Sequence, residues 1–218
     1  MGDFINTVDP YRCDPERWWV ETKIEDPYSL KPEPDNDILL IIGDGWNLLD
    51  DLERFIEFSV PFDLMSINYS SELLPASWPI HHFIAGDSHT QDMQNIAKGL
   101  ADRGTLRHCW NRGSKHFDIR WARNTSKGWT GTTANLGLKI GIALGYMKMV
   151  LAGCPMDNNG NWYTKSLPES DSKKNKDHTA HLWKWTEIAG RPIGRFIRSM
   201  SGNTAMLFGE PDNDWLLT

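Results

Sequence analysis

Cysteine is scarce in this 218-residue chain, which has three, and none belongs to a Cys-x-x-Cys pair. Domains held together by disulfides need more cysteines, and structural zinc sites need closely spaced ligand pairs that this chain lacks, so neither class is expected. The odd number and wide separation of Cys13, Cys109 and Cys154 instead predict reduced thiols in a cytoplasmic protein.

The chain also lacks an excess of positive charge. Lysine and arginine total 23 against 29 aspartate and glutamate residues, which gives a net charge of −6. A protein that binds nucleic acid mainly through the phosphates carries a basic surface, so the charge balance argues against that class.

Long uninterrupted apolar runs are missing as well. The longest mostly apolar stretch contains Lys139 and Lys148, which predicts that no segment spans a membrane. The first residues do not show a basic start followed by an apolar run, so a secretory signal is not expected. We therefore expect a location in the cytoplasm.

Prolines set the first 37 residues apart from the rest of the chain. This segment has five prolines, which block long helices and strands. We predict an irregular N-terminal arm over residues 1–37 and one folded domain over residues 38–218. Within the domain, residues 154–177 form a polar insertion that we predict to be a lid.

Apolar runs and helical patterns alternate along the domain. The continuous run Ile38–Ile42 is typical of a strand buried on both faces. Further strands are predicted over residues 62–68, 81–86, 105–110, 116–122, 148–153 and 194–200, and helices over residues 46–58, 91–104, 133–144 and 178–190. This alternation predicts an α/β fold with one Rossmann-like, mainly parallel sheet and helices on both faces.

Ligands of such sheets bind beyond the carboxyl ends of the strands, where the strand order reverses. Gly43, Asp44 and Gly45 follow the first strand of the domain, and glycine there tolerates positive φ and lets a ligand approach the backbone. Gly153 and Asp157 follow a later strand and are expected at the same edge. The Gly43 turn lacks the third glycine of a dinucleotide fingerprint, so an ordinary tight turn is the alternative.

The segment Thr130-Gly131-Thr132-Thr133 leads into a predicted helix. The free N–H groups and the dipole of a helix start favour an anion, and threonine hydroxyls add donors. A plain N-cap at Thr132 or Thr133 is the alternative, and it is compatible with anion binding. Gly137 and Gly141 lower helix stability, so we predict that they pack closely against the sheet.

Two histidines, His178 and His181, begin the last predicted helix. A histidine near its reference pKa can act as a general acid or base at neutral pH, and a surface position without a catalytic role is the alternative. Asp87 and His89 offer two metal ligands without a third, so their spacing predicts no metal site.

Four segments together resemble a family of Rossmann-like nucleotide-binding proteins. They are ILLIIGDGWNL, DLMSIN, TGTTANLGLKIGIALGYMKMVLAG and DNNGNWY, all within residues 38–163. The family includes the bacterial sialyltransferases that modify lipooligosaccharide and the motility-accessory-factor proteins implicated in flagellin glycosylation. The closing segment RFIRSMSGNTAMLFGEP is similar to small phage-encoded relatives.

The resemblance implies roles for individual residues. It implies that His181 acts as the base, with His178 as the second candidate, and that Tyr163 supports the departing phosphate. Asp44 and Asp157 stand where the sialyltransferases have asparagine and tyrosine. The residues expected to bind the nucleotide are Gly43, Asp44, Gly45, Asn68, Thr132, Thr133, Gly153 and Asp157.

The activity that the resemblance implies is glycosyl transfer from a nucleotide-linked sugar, CMP- or UDP-linked, to a hydroxyl acceptor on a glycan, a protein or a modified nucleic acid. It also implies a homo-oligomer, and a location in the host cytoplasm if the chain is phage-encoded. Two alternatives stay open. One is pyrophosphate transfer from ATP with Mg²⁺ held by Asp44, Asp87 and Asp157. The other is a non-catalytic nucleotide-binding protein of phage origin.

Overall fold

One eight-stranded sheet forms the centre of the protein. The computed structural model describes residues 18–22, 36–109, 115–123, 132–162 and 178–218. The strand order is β1-β6-β5-β4-β3-β2-β7-β8, and every pairing is parallel except that of β1 with β6. The strands are β1 Trp18–Thr22, β2 Ile38–Ile42, β3 Asp63–Ile67, β4 His82–Ala85, β5 Leu106–Cys109, β6 Ile119–Arg123, β7 Lys148–Ala152 and β8 Ile197–Ser199.

Helices lie on both faces of this sheet, which confirms the predicted α/β fold. The α-helices are α1 Leu48–Ile56, α2 Gln91–Leu100, α3 Thr133–Ala143, α4 Leu182–Ala189, α5 Gly202–Phe208 and α6 Asn213–Leu217. Short 3-10 helices cover Asn68–Leu73, Ala101–Arg103, His178–His181 and Pro192–Phe196. In the described part of the chain, no helix is long and apolar enough to cross a bilayer.

Strand β2 shows why its sequence is apolar at every position. Leu39 and Ile41 belong to the core under α3 and α4, whereas Ile38, Leu40 and Ile42 belong to the core under α1 and α2. All five side chains are buried. A central parallel strand has a helix layer on each side, so alternation between apolar and polar residues is lost.

The N-terminal arm requires a correction. Residues 18–22 were expected to be irregular, but they form β1, which pairs antiparallel with β6 at the edge of the sheet. The five residues WWVET contain no proline and are rich in aromatic and β-branched types that favour strands. Prolines at positions 15 and 27 limit this element to a short strand rather than excluding it.

Two glycines bring α3 close to the sheet, as predicted. A Cβ added at Gly141 would lie 2.8 Å from both Leu39 Cδ2 and Met149 Sδ, and one added at Gly137 would lie 3.2 Å from Met65 Sδ. The helix therefore packs on β2, β3 and β7 at a distance that a larger residue would increase.

The strand order reverses at β2. From β2 the chain passes through β3, β4, β5 and β6 on one side, and α3 then carries it back to β7 on the other side of β2. The connections that leave β2 and β6 cross opposite faces of the sheet, and a crevice opens beyond the carboxyl ends of the strands at such a point.

A buried chain of hydrogen bonds runs through polar side chains near the opposite edge of the sheet. The Trp121 indole N–H donates to Nδ1 of His108 (3.1 Å), which leaves His108 Nε2 to donate to Nδ1 of His82 (3.2 Å). His82 Nε2 then donates to the hydroxyl of Tyr146 (3.0 Å), and this hydroxyl donates to Asp63 Oδ2 (2.8 Å). The direction of each bond fixes one neutral tautomer for each imidazole.

Both imidazoles of this chain are neutral because they are buried. Burial lowers the pKa of His108 from 6.5 to about 3. Burial also lowers the pKa of His82 well below its usual value, and the neighbouring His108 and His81 add to that effect. No water is needed to satisfy these rings, since each of their four nitrogens has a protein partner.

Candidate functional site

A pocket of about 390 Å³ lies at the carboxyl edge of the sheet, where the strand order reverses. It is bounded by the turns after β2, β3, β4 and β7, by the first residues of α2 and α3, and by the 3-10 helix before α4. Ten of the eleven site residues predicted from the sequence line it: Gly43, Asp44, Gly45, Asn68, Thr132, Thr133, Gly153, Asp157, His178 and His181. The eleventh, Tyr163, and the leading Thr130 and Gly131 lie outside the described residues.

Sequence reasoning missed part of the pocket wall. Thr90, Asp92 and Met93, from the start of α2, line the pocket although none of them was among the predicted site residues. Tyr69, which follows Asn68 at the end of β3, lines it as well. The predicted start of α2 could have indicated the first three residues, because a helix that follows a strand-end turn begins at the same edge of the sheet as the pocket.

The glycines after β2 line the pocket and also let a second turn come close. Neither Gly43 nor Gly45 has a positive φ, so this turn does not use the left-handed backbone that glycine tolerates. A Cβ added at Gly43 would lie 2.6 Å from the carbonyl oxygen of Gly153 and 2.5 Å from Cys154 Sγ, and one at Gly45 would lie 2.6 Å from the same oxygen. The two turns touch backbone to backbone, and the N–H of Gly45 donates to Gly153 O (2.8 Å). Gly153 itself has a φ of +62°.

Substituting Gly43 with alanine is expected to cost about 1–3 kcal/mol of stability, because the added methyl group meets backbone that cannot move aside. Gly99→Ala provides the matched control, since a Cβ there meets nothing within 4 Å and the residue lies inside α2. That control is expected to gain about 0.5–1 kcal/mol. Urea unfolding of both variants tests the pair, and equal effects would contradict the close contact of the two turns.

The turn after β7 is attached to the turn after β2 at several points. Gly45 and Asn161 form an antiparallel bridge, the Trp46 N–H donates to Gly160 O (3.2 Å), and the Trp162 N–H donates to Asp44 O (3.0 Å). The first nine residues of the predicted lid, 154–162, are thus bound to the pocket wall, and residues 163–177 lie outside the described residues.

A buried carboxylate, that of Asp51, also holds the turn after β7. Asp51 Oδ2 accepts hydrogen bonds from the Gly153 N–H (2.8 Å), the Ser201 hydroxyl (2.7 Å) and the Asn47 amide (3.1 Å). Burial raises the pKa of Asp51, and the hydrogen bonds from Gly153 and Ser201 oppose that rise. Ser201 precedes α5, so the C-terminal segment takes part in holding the pocket floor.

Residues at the start of α5 also hold this turn. The Asn203 N–H donates to Pro155 O (2.8 Å), the Asn203 side chain donates to Met156 O (2.9 Å), and the Thr204 hydroxyl donates to Cys154 O (2.8 Å). Cys154 and Cys109 are both buried, neither forms a disulfide within the described residues, and burial raises the pKa of Cys154.

The two acidic positions that depart from the sialyltransferase pattern lie in the pocket wall. Asp157 accepts from the Trp46 indole (3.0 Å) and from the backbone and side-chain N–H groups of Asn159 (3.0 and 2.9 Å). Asp157 therefore organises its own turn with both carboxylate oxygens. The described residues contain no group of three His, Cys, Asp or Glu side chains that could hold a metal ion. The arrangement of Asp44, Asp87 and Asp157 thus gives no support to the Mg²⁺ alternative.

Asn68 sits at the end of β3 with a positive φ of 52°. Its side-chain oxygen accepts from the Gly86 N–H (3.2 Å), which joins the ends of β3 and β4. The next residue, Tyr69, donates its hydroxyl to Asp92 Oδ2 (3.1 Å) at the start of α2. Burial raises the pKa of Tyr69, and Asp92 adds to the effect.

The start of α3 offers donors to the pocket. Thr132 is the N-cap residue by position, but its side chain makes no capping hydrogen bond. Its hydroxyl is buried and has no partner among the described residues, and the same is true of the Thr90 hydroxyl at the start of α2. Asn135, in the first turn of α3, is fully buried, and neither side-chain polar atom has a partner within the described segments. Thr132 and Thr90 line the pocket, so their hydroxyls can hydrogen-bond to a ligand there, whereas Asn135 is not among the lining residues.

His178 and His181 occupy equivalent positions of one 3-10 helix. Side chains three residues apart eclipse each other in this helix type, and both histidines line the pocket with partly exposed rings. The structure brings them to the turns after β2 and β7, although more than 130 residues separate His178 from Gly43.

No protein-family profile and no curated protein sequence matches this chain. Among solved structures it is similar to the sialyltransferase CstII from Campylobacter jejuni in complex with the substrate analogue cytidine-5'-monophosphate, with 15% identity and a TM-score of 0.50 over 81% of this chain and 85% of that chain. A structure of the sialyltransferase CST-II with a trisaccharide acceptor and CMP aligns with 16% identity and a TM-score of 0.44, covering 81% of this chain and 86% of that one. The first similarity shows that the chain shares the sialyltransferase fold, as the sequence resemblance predicts.

Proposed function

We propose that this protein is a glycosyltransferase that uses a nucleotide-activated sugar. The observation that carries the proposal is the convergence of ten residues, chosen from five separate stretches of sequence, on one pocket at the reversal of strand order. Glycosyltransferases of the same fold, such as the CMP-bound CstII, provide the chemical precedent.

The phosphate of the donor would bind at the start of α3. Free N–H groups and the helix dipole favour an anion there, and the unpartnered hydroxyl of Thr132 adds a donor on the same side. A phosphate at this position would lie beside the turn after β2, within the pocket that Asn68 also lines.

In the proposed transfer, a histidine removes the proton from the acceptor hydroxyl, which then attacks the anomeric carbon as the bond to the nucleotide phosphate breaks. His181 is our candidate for this base and His178 is the second, since both line the pocket. The role of Tyr163 as support for the departing phosphate stays a prediction from the family resemblance.

Calorimetric titration with CMP, UMP, AMP and GMP tests the proposal directly. We expect one of these nucleotides to bind with a stoichiometry of one per chain, and its sugar-linked form to be turned over slowly in the presence of an acceptor or water. His181→Ala is expected to keep nucleotide binding and to lose turnover, because the base contacts the acceptor rather than the phosphate.

Two results would contradict the proposal. Absence of binding by every nucleotide and nucleotide sugar would remove the ligand. Binding without turnover of any sugar-linked donor by the parent protein would favour the non-catalytic alternative.

A further inference from the structure

The pocket extends across four neighbouring strands. The turns after β4, β3, β2 and β7 line it, and these strands lie side by side in that order in the sheet. Neighbouring strands are about 4.8 Å apart, so the three steps from β4 to β7 span about 14 Å. Different parts of one ligand that lies across the strand ends therefore contact different strands.

The start of α3 lies near the middle of this length. A Cβ added at Gly137, in the second turn of the helix, would lie 3.3 Å from Ile41 on β2 and 3.7 Å from Ile67 at the end of β3. Thr132 and Thr133, which begin the helix, line the pocket. The phosphate that we propose at this helix start would thus divide the pocket into a side above β3 and β4 and a side above β7.

The two histidines belong to the β7 side. They precede α4, in which Trp185 packs edge-on against Phe208 of α5, with ring centroids 6.1 Å apart. Helix α5 is in turn bonded to the turn after β7, because the Thr204 hydroxyl donates to Cys154 O (2.8 Å). The proposed base must reach the acceptor at the anomeric carbon, so the sugar would occupy this side. The nucleoside then occupies the opposite side, above β3 and β4.

The side above β3 and β4 contains an aromatic ring held at two points. Tyr69 is the one phenylalanine, tyrosine or tryptophan among the described residues that line the pocket. Its half-buried ring packs against the core under α1 and α2, and its hydroxyl donates to Asp92 Oδ2 at the start of α2 (3.1 Å). The buried Ile67 and Met93 add apolar surface to the same part of the pocket.

We infer that the nucleobase of the donor stacks on Tyr69 and that Asp92 positions the ring. This inference rests on the proposed function and assigns one part of its ligand to a residue. Every nucleobase has a flat π face, so an aromatic ring stabilises any of them by stacking. A ring that the core and a hydrogen bond already hold in place loses little conformational freedom when the base binds.

Titration of three variants with the nucleotide that binds the parent protein tests the role of the ring. Tyr69→Leu keeps an apolar side chain against the core but removes the ring, and we expect binding about tenfold weaker or more. Tyr69→Phe keeps the ring without the bond to Asp92, and we expect a loss of about threefold at most. Phe58→Leu removes a half-buried ring from the same core outside the pocket wall and is expected to retain the parent affinity.

A ligand without a base separates stacking from support of the fold. Ribose 5-phosphate, measured by its displacement of the nucleotide, is expected to bind the parent protein and Tyr69→Leu within about twofold of each other. Loss of ribose 5-phosphate affinity by the same factor as nucleotide affinity would overturn the inference, because Tyr69 would then only hold the pocket wall.

The role of Asp92 is tested in two backgrounds. Asp92→Ala is expected to weaken nucleotide binding by about threefold when Tyr69 is present and to have no further effect in Tyr69→Phe, where the hydroxyl bond is already lost. An equal effect in both backgrounds would show that Asp92 does not act through the ring.

The outcomes separate this inference from the function on which it rests. Unchanged nucleotide affinity in Tyr69→Leu would overturn the inference while nucleotide binding still stands. Equal losses in Tyr69→Leu and Tyr69→Phe would also overturn it, since the ring would then contribute nothing. If no nucleotide binds the parent protein, the proposed function itself fails.

Discussion

Lowering the pH from 7 to 5 is expected to reduce the free energy of unfolding by about 2 kcal/mol through the buried His108, and the buried His82 adds to this loss. In the unfolded chain each imidazole takes up a proton near pH 6.5, whereas in the folded protein His108 remains neutral down to about pH 3. The unfolded state thus binds more protons over this window, so stability is complete above pH 6.5 and is lost as the pH falls. The value of about 2 kcal/mol follows from the pKa of His108, and the lowered pKa of His82 acts in the same direction.

The hydrogen-bonded chain prevents either ring from accepting a proton. Nδ1 of His108 already accepts a hydrogen bond from Trp121, and Nδ1 of His82 already accepts one from His108. Nε2 of His82 donates to the Tyr146 hydroxyl, which donates to Asp63. Protonation would place two donors face to face inside the core. Since the pKa of Tyr146 is raised by burial and by Asp63, its hydroxyl stays protonated and the direction of the chain is preserved.

Urea unfolding of the parent and of His108→Gln at pH 7 and pH 5 measures this effect. The variant is expected to be less stable at pH 7, but its loss between the two pH values should be smaller than that of the parent by about 2 kcal/mol. His89→Gln removes an exposed imidazole and should leave the loss unchanged. If His108→Gln lost as much stability as the parent on acidification, the neutral state of His108 would be refuted.

Replacing Asp51 with alanine is expected to lower the free energy of unfolding by about 3 kcal/mol or more, because two buried donors and the half-buried Ser201 hydroxyl lose one shared acceptor. The Gly153 N–H would remain between α1 and the turn after β7, where no other acceptor is in place. Nucleotide binding is expected to weaken in the same variant, since Gly153 and the residues after it line the pocket.

Neighbouring substitutions separate this role from a general effect on α1. Asp50→Ala removes an exposed carboxylate from the same helix turn and is expected to cost less than about 1 kcal/mol. Asp51→Asn keeps an acceptor oxygen and should be less harmful than alanine in both urea unfolding and titration. A cost for Asp51→Ala no greater than for Asp50→Ala would show that the buried carboxylate does not hold the turn.

The sequence allowed prediction wherever a local pattern decides the structure. The apolar run Ile38–Ile42 predicts a strand with a helix layer on each side, and glycines 137 and 141 predict a close helix–sheet contact, because both patterns report burial directly. The position of the pocket also followed from strand alternation, since parallel strands direct their carboxyl ends to one edge.

Other features depend on contacts between distant parts of the chain and were not predicted. The bond between Asp51 and Gly153 joins residues 102 positions apart, and the bond between Asp51 and Ser201 joins residues 150 apart. No pattern in either segment indicates such a partner. The contact of Gly43 and Gly45 with the turn after β7 was not predicted, because that turn lies more than 100 residues away in the sequence. Helices α5 and α6 were missed because each has seven residues or fewer, too short for a helical period to be recognised.

The attachment of Ser201, Asn203 and Thr204 to the turn after β7 has a consequence for biosynthesis. Domains begin to fold from the N-terminal side while the ribosome is still adding residues. The central strands and the start of α3 are made before the segment that secures residues 153–156. A nascent chain would therefore complete the pocket wall only once residues 201–204 have been added, and a chain terminated before Ser201 would keep the sheet centre without a finished pocket.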